Sequence, residues 1–232
     1  MYLKKTVAAI IPVRKDGDSI LKVIQELDAT SFTDEIIVVD NGADEKTINF
    51  VNKTRARFIK TKKLGLGNCL IEGFKNTKAD LVIVISGDGS FLGKDIAKLL
   101  SYSEDFDTVF GSRTHTPLIG KESGMTFSRR LIDDLFGKLI SILFLSSNLT
   151  DVGCIFRLTN RKGLKKVIKY CKSKDEIFLT EWLIAAAKNK VRFIEVPVNF
   201  ISSIGDRRKE DFFFLATRAF KIIYLIFKSY FS

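Results

Sequence analysis

The sequence predicts an α/β protein built on a mostly parallel sheet, and three observations carry that reading. Short apolar runs rich in Val and Ile alternate with helix-period segments along the chain. Two of those runs, I-I-V-V-D-N-G at 36–42 and L-V-I-V-I-S-G-D-G-S at 81–90, end in Asp and Gly. Buried parallel strands read as continuous apolar segments, and they deliver carboxylates such as Asp40 and Asp88 to a cleft at the carboxyl edge of the sheet. At 232 residues, with 46% hydrophobic and 28% charged residues, the chain is long and apolar enough for one well-buried domain.

The elements follow in order. The start, M-Y-L-K-K-T-V-A-A-I-I-P, reaches Pro12 after five apolar residues, too few for a signal-peptide core, so Val7 to Pro12 reads as the first strand. Further strands are expected at Ile36 to Asp40, Arg57 to Thr61, Leu81 to Ser86, Thr108 to Ser112, Ile155 to Leu158 and Arg192 to Phe200. Helical spacing fills the intervals at 18–28, 44–54, 66–77, 94–103, 126–145, 161–171 and 176–188. Right-handed crossovers then join parallel neighbours. The polar, Gly- and Ser-containing stretch 111–124 reads as a functional loop, and no internal repeat is visible.

Charge and cysteines narrow the partners. A formal charge of +11 favours polyanions, whether nucleic acid, anionic lipid or phosphorylated small molecules. The cations between Lys53 and Lys63 lack aromatic interleaving and a helix-turn-helix pattern, so they read as a solvated face and no nucleic-acid partner is expected. Cys69, Cys154 and Cys171 are odd in number and form no C-x-x-C, which supports neither a disulfide framework nor a zinc site and suits a reducing, cytoplasmic setting. The segment 211–231 is long and apolar, but Arg218, Lys221 and Lys228 fall within roughly an 80° arc. That is the pattern of an interfacial helix, with a core helix closing on the sheet as the alternative. A second greasy stretch at 131–145 adds to the expectation of a peripheral membrane protein on the cytoplasmic face.

A set of motifs in fixed order points to a family. A-I-I-P-V-R-K-D at 9–16, E-I-I-V-V-D-N-G-A-D-E-K-T at 35–47, G-L-G-N-C-L-I-E-G-F at 65–74, I-S-G-D-G-S at 85–90, F-G-S-R at 110–113, T-D-V-G-C-I-F-R-L at 150–158 and E-V-P-V-N-F at 195–200 together resemble family 2 glycosyltransferases. The branch they resemble most includes polyprenyl-phosphate (dolichol-phosphate) mannosyl- and glucosyltransferases. The resemblance runs from about residue 6 to 208. It implies a single-domain GT-A, nucleotide-diphospho-sugar transferase fold at 1–208, followed by the amphipathic helix at 209–232.

The resemblance also assigns roles. Pro12, Val13, Asp16, Asp40, Gly65, Gly67, Asn68, Gly87 and Asp88 match positions that bind the nucleotide sugar; Asp16 stands where relatives usually have Glu. Carboxylates suit ribose hydroxyls and base imino groups. Glycines opening a helix allow close backbone approach, though a plain turn also explains Gly65 and Gly67. Asp88, with Ser90, is the expected site for Mg²⁺ or Mn²⁺, hard cations that take oxygen ligands. The family's D-x-D is here Ser86-Gly87-Asp88. On the acceptor side, Arg113, Arg129, Arg157 and Arg207 are candidates for a phosphate clamp, and surface salt bridges explain any single one equally well. Asp151 matches a loop Asp near the donor sugar, or caps a turn. Glu181 lies where relatives with hydroxyl acceptors carry a base, or is a helix-start acid. The tail S-S-I-G-D-R-R keeps Gly205 and Arg207 of an R-x-x-G-x-S-K/R pattern and lacks its leading Arg and its Ser.

The resulting expectation is an inverting glycosyltransferase, moving a sugar from a nucleotide-diphospho-sugar donor to a membrane-held polyprenyl phosphate. Transfer to a saccharide hydroxyl in glycan assembly, and a non-catalytic nucleotide-sugar-binding relative, are the alternatives.

Overall fold

The structure, a computed structural model, describes residues 1–203 and 212–231. Its strands are β1 (Val7–Val13), β2 (Glu35–Asp40), β3 (Arg57–Ile59), β4 (Leu81–Val84), β5 (Thr108–Ser112), β6 (Arg157–Asn160) and β7 (Phe193–Pro197). The α-helices are α1 (Asp18–Ala29), α2 (Glu45–Val51), α3 (Leu66–Lys75), α4 (Ile96–Ser101), α5 (Phe127–Leu143), α6 (Arg161–Val167), α7 (Ile177–Lys188) and α8 (Phe212–Phe231). The strands form one sheet in the order β3-β2-β1-β4-β6-β5-β7.

The sheet is covered on both faces, which is why its central runs are unbroken rather than alternating. On one face Ile10, Ile37, Val39, Val82 and Val84 pack with α3, α5 and α7. On the other, Ala9, Ile11, Val38 and Ile83 pack with α1 and α4. Helix α1 supplies Ile20, Val23, Ile24 and Leu27, the spacing of a single apolar stripe. Helix α7 is apolar nearly all round because it is buried nearly all round, from Ile177 to Ala187.

Pairing is parallel for β1 with β2 and β4, for β2 with β3, and for β5 with β7. Strand β6 departs from the expected pattern, running antiparallel to both β4 and β5. Its register, Val84 to Arg157 and Leu81 to Asn160, also shifts the strand two residues from the expected start. It stops where the Asn160 side chain accepts from the Gly163 N–H at 2.7 Å and caps α6. The expected helix at 94–103 is a 3₁₀ turn over Gly93–Asp95 continued by the short α4.

Strand order reverses at β1, whose neighbours β2 and β4 lead to Asp40 and Asp88 respectively. Such switch points open a crevice at the carboxyl ends of the strands.

The last helix has two different faces. Ile222 and Ile226 are buried in the core beside α5 and α7. Arg218 turns inward to Asp133 at 3.2 Å, and Lys221 faces Asp175 at 3.4 Å, so these cations do not form the free stripe that spacing suggested. The opposite face leaves Phe220 73% and Phe231 80% exposed, with Tyr224 and Phe227 also open. Helix α5 and the residues after it expose Phe127, Leu131, Leu135, Ile142 and Leu145. Among the described residues, no helix is long and apolar enough to cross a membrane.

Candidate active site

Three strand ends meet at the switch point, and backbone straps fix them to one another. After β2, the Asn41 N–H donates to the Val13 carbonyl at 2.8 Å and the Asp44 N–H to that of Arg14 at 3.1 Å. Asp40 Oδ1 accepts from the N–H groups of Gly42 and Ala43, both at 2.8 Å, closing a turn in which Gly42 has φ +91°. The Asn41 side chain accepts from the Gly65 N–H at 2.8 Å and so ties this turn to the start of α3. Asn41 was missed by sequence reasoning, although its place in the D-N-G turn is the signal that could have found it.

Asp16 and Asp88 flank Gly87. A Cβ on Gly87 would stand 2.9 Å from Val13 Cγ1 and 3.1 Å from Asp16 Oδ2, so only glycine lets the two segments approach. Ser19, also missed, lies beneath them: its Oγ is 2.9 Å from the Gly87 carbonyl and 2.5 Å from that of Asp16. Burial pushes the Asp16 carboxyl up to about 6, with the charges of Asp88 and Asp44 adding to it and the Arg14 N–H opposing. Asp88 Oδ1 accepts from Ser90 N at 3.0 Å and Ser90 Oγ at 2.6 Å. Ser90 is itself buried, and its hydroxyl proton is spent on orienting the carboxylate.

The glycines of α3 have a reason other than the expected one. A Cβ on Gly65 would collide with the Lys174 carbonyl, and one on Gly67 with that of Ser173. The close approach they permit is to the loop before α7, where the Gly67 N–H donates to Lys174 at 2.9 Å. Glu181 holds that same loop, its Oε2 accepting from the N–H groups of Lys172 at 2.8 Å and Ser173 at 2.7 Å. Asn68 bonds back to the Leu64 carbonyl at 2.8 Å.

The proposed phosphate arginines are redistributed. Arg113 is buried and makes a two-point pair with Asp151, Nε at 2.8 Å and Nη2 at 2.7 Å, while its N–H adds a third bond at 2.9 Å. Burial pushes the Asp151 carboxyl up, but the Arg113 guanidinium outweighs it and holds the group well below the usual carboxylate range. Asp133 completes the cluster, 3.7 Å from Arg113 and within reach of Arg218. Arg157 is fully buried. Its guanidinium sits over the rings of Phe110 and Trp182 and donates to the Cys154 and Leu179 carbonyls, so it cannot clamp a phosphate at the surface. Burial depresses it to about 10. Arg129, in the first turn of α5, lines a narrow cleft with Arg218, Ile132, Phe136 and Ile222. Arg207 and Gly205 lie outside the described residues.

The Arg113–Asp151–Asp133 cluster adjoins Asp88 through aromatic contacts. Arg113 stacks on Phe200 at 5.3 Å, Phe200 meets Phe91 at 5.3 Å, and the Ile201 N–H donates to the Ser90 carbonyl at 2.9 Å. Among the described residues, no three His, Cys, Asp or Glu side chains gather as a metal cluster. The donor set still suits a hard cation shared with a diphosphate: among the described residues Asp88 Oδ2 takes no hydrogen bond, and the Asp16 carboxylate adds negative field beside it.

Known proteins resemble this chain in sequence and in fold. The dolichyl-phosphate β-glucosyltransferase of Saccharomyces cerevisiae is 24% identical, covering 86% of this chain and 68% of that one. The undecaprenyl-phosphate mannosyltransferase of Micrococcus luteus is 26% identical over 84% of this chain and 83% of its own length. The UDP-N-acetylglucosamine–dolichyl-phosphate N-acetylglucosaminyltransferase of Methanococcus voltae is 26% identical, with coverages of 85% and 86%. In fold, the chain matches glucosyl-3-phosphoglycerate synthase from Mycobacterium tuberculosis, crystallised with Mn²⁺, UDP and phosphoglyceric acid, at a TM-score of 0.74 and 15% identity, covering 98% of this chain and 79% of that one. The glycosyl transferase family 2 model spans residues 8–168, from β1 through β6 and α6. The chain belongs to that family and is a glycosyltransferase.

Proposed function

We propose that this chain moves a sugar, with inversion, from a nucleotide-diphospho-sugar to a polyprenyl phosphate held at a membrane surface. The observation that carries the donor half is Asp88 at the switch point, with one carboxylate oxygen oriented by Ser90 and the other without a hydrogen bond among the described residues. Asp40 and Asp16 at the neighbouring strand ends receive ribose and base, and Pro12, Val13 and Gly87 shape the floor. Mg²⁺ or Mn²⁺ held by Asp88 would stabilise the negative charge of the departing diphosphate. The acceptor half rests on the three relatives, whose names specify dolichyl or undecaprenyl phosphate. A phosphate oxyanion is already a nucleophile at neutral pH, so the chain needs no general base for it.

Glu181 tests the acceptor class. Its bonds to Lys172 and Ser173 N–H are those of a loop holder, and glutamine can accept the same two bonds. Glu181→Gln is therefore expected to keep undecaprenyl-phosphate glycosylation within about threefold of the parent, whereas loss of a general base costs about 10² to 10⁴ in rate. A stable but crippled variant would overturn the lipid-phosphate reading in favour of a hydroxyl acceptor. A panel of nucleotide sugars in thermal-shift assays, with and without Mn²⁺, identifies the donor through ligand stabilisation.

Membrane attachment is assigned to the outward faces of α5 and α8, on the cytoplasmic side, where the free cysteines are at home. Deleting α8 would also strip Ile222 and Ile226 from the core, so point substitutions are the cleaner test. Phe220→Ser with Phe227→Ser should weaken binding to anionic liposomes by about tenfold or more, since each ring buried in the interface contributes roughly 1.5–3 kcal/mol. Flotation of the double variant alongside the parent decides it; equal flotation places the contact elsewhere.

A further inference from the structure

Residues 161–174 carry seven cations and no acid. They form α6, a 3₁₀ turn over Ile168–Tyr170 and the loop that leads to α7. Gly163, Leu164, Val167 and Cys171 are buried, and this three- and four-residue spacing leaves Lys162, Lys165, Lys166 and Lys169 exposed on the outer side. Lys172 and Lys174 are exposed in the loop. Arg161 is held by the carbonyls of Ala79 and Thr77, but none of the six lysines pairs with a carboxylate among the described residues. Lys169 lies instead over the ring of Tyr170, at 4.9 Å. Like charges three and four residues apart destabilise a helix, and a polyanion laid along the strip relieves that repulsion.

The surroundings of the strip select the polyanion. Helix α7 packs against both α6 and α8. Lys174 is followed by Asp175, whose carboxylate lies 3.4 Å from Lys221 of α8, and the residue before Lys221 is Phe220, 73% exposed. One ion pair therefore separates the lysines from the outward aromatic face of α8, and Tyr170 exposes a further ring within the strip itself. Nucleic acid would neutralise the lysines and leave the aromatic face in water. An anionic bilayer covers both, with rings at the headgroup boundary and ammonium groups at the phosphates. We propose, resting on the membrane assignment of α8, that the lysine strip at 162–174 is a docking surface for anionic lipid headgroups and makes attachment selective for negatively charged membranes.

The strip also bears on where the bilayer lies. At its end the carbonyls of Ser173 and Lys174 abut Gly67 and Gly65, and the Gly65 N–H is tied to Asn41, next to Asp40. Headgroups bound at that end are brought to the edge of the strand-end crevice. The two contacts differ in kind: exposed lysines attract over a screening length of about 8 Å at physiological salt, so their share fades as salt rises, whereas burial of the α8 rings does not.

The test is co-sedimentation of the full chain with vesicles of phosphatidylcholine alone and of phosphatidylcholine mixed with phosphatidylserine. In the triple variant Lys165→Gln, Lys166→Gln, Lys169→Gln, affinity for the phosphatidylserine vesicles should fall about 10²-fold, a factor of about five for each lysine, with binding to pure phosphatidylcholine unchanged. A second triple variant, Lys22→Gln, Lys53→Gln, Lys94→Gln, carries the same net charge but is altered on exposed positions of elements that cover the opposite face of the sheet. It should bind within about threefold of the parent. All six substituted side chains are exposed, so both variants should melt with the parent. Equal losses in the two triples would reduce the attraction to net charge and overturn the proposal. So would a parent indifferent to phosphatidylserine, or a strip variant that binds as the parent does. In each of those cases Phe220→Ser with Phe227→Ser reports separately on the membrane assignment, which stands if that variant loses binding. A parent that binds neither vesicle overturns both, and one that binds single-stranded RNA through the same lysines, but no vesicle, gives the strip to nucleic acid instead.

Discussion

Asp88→Asn should lower turnover by about 10²- to 10⁴-fold while leaving the melting temperature within about 2 °C of the parent. Replacing an anionic oxygen with an amide removes the negative ligand expected to hold the cation, and leaving-group stabilisation of this kind amounts to several kcal/mol. The fold has little reason to change. The asparagine carbonyl can still accept both bonds from Ser90. Asp88 also contributes to the upward shift of Asp16, so its neutralisation should let Asp16 ionise more easily. Turnover at saturating donor, measured beside a thermal melt, separates the two effects. Parental activity in a stable Asp88→Asn protein would remove Asp88 from the chemistry.

The central sheet was legible because its strands are buried on both faces, which forces unbroken Val and Ile runs at 36–39 and 82–85. The direction of β6 was not. An apolar run carries no sign of its direction, and the Arg157–Asn160 segment became antiparallel through its pairing with both β4 and β5. Helix α8 was legible as amphipathic, but spacing alone could not show that Arg218 would turn inward, because its partner Asp133 lies 85 residues away in sequence.

The placement of the strand-end carboxylates was more readable than that of the arginines. Asp16, Asp40 and Asp88 sit within a few residues of strand ends, so the sheet topology alone brings them to one edge. Arginine positions carry no such constraint. A long side chain can point to solvent or to the core, and Arg157 took the second course beneath Phe110 and Trp182. Gly65 and Gly67 show the same limit, since the backbone they admit belongs to residues 173–174, far along the chain.

Asp151→Ala should be the most destabilising of these substitutions, costing about 3–5 kcal/mol, because it leaves a buried guanidinium without its partner. For a chain of this size that corresponds to roughly 6–20 °C in melting temperature. Asp151 is fully buried and accepts from Arg113 at three points and from the Gly153 N–H at 3.0 Å. The remaining carboxylate, Asp133, is 3.7 Å from Arg113 and already shared with Arg218, so it cannot take over the two-point geometry. Removing the arginine as well should restore part of the loss, since the penalty lies in the orphaned charge rather than in the missing bond. Acid should act in the same direction. The depressed carboxyl of Asp151 stabilises the fold above pH 3.8, the unfolded value, and that contribution is lost as pH falls below it. Melting curves of Asp151→Ala, Arg113→Met and the double variant test the argument. A double variant no more stable than Asp151→Ala alone would show that the pair is not what holds this edge of the sheet together.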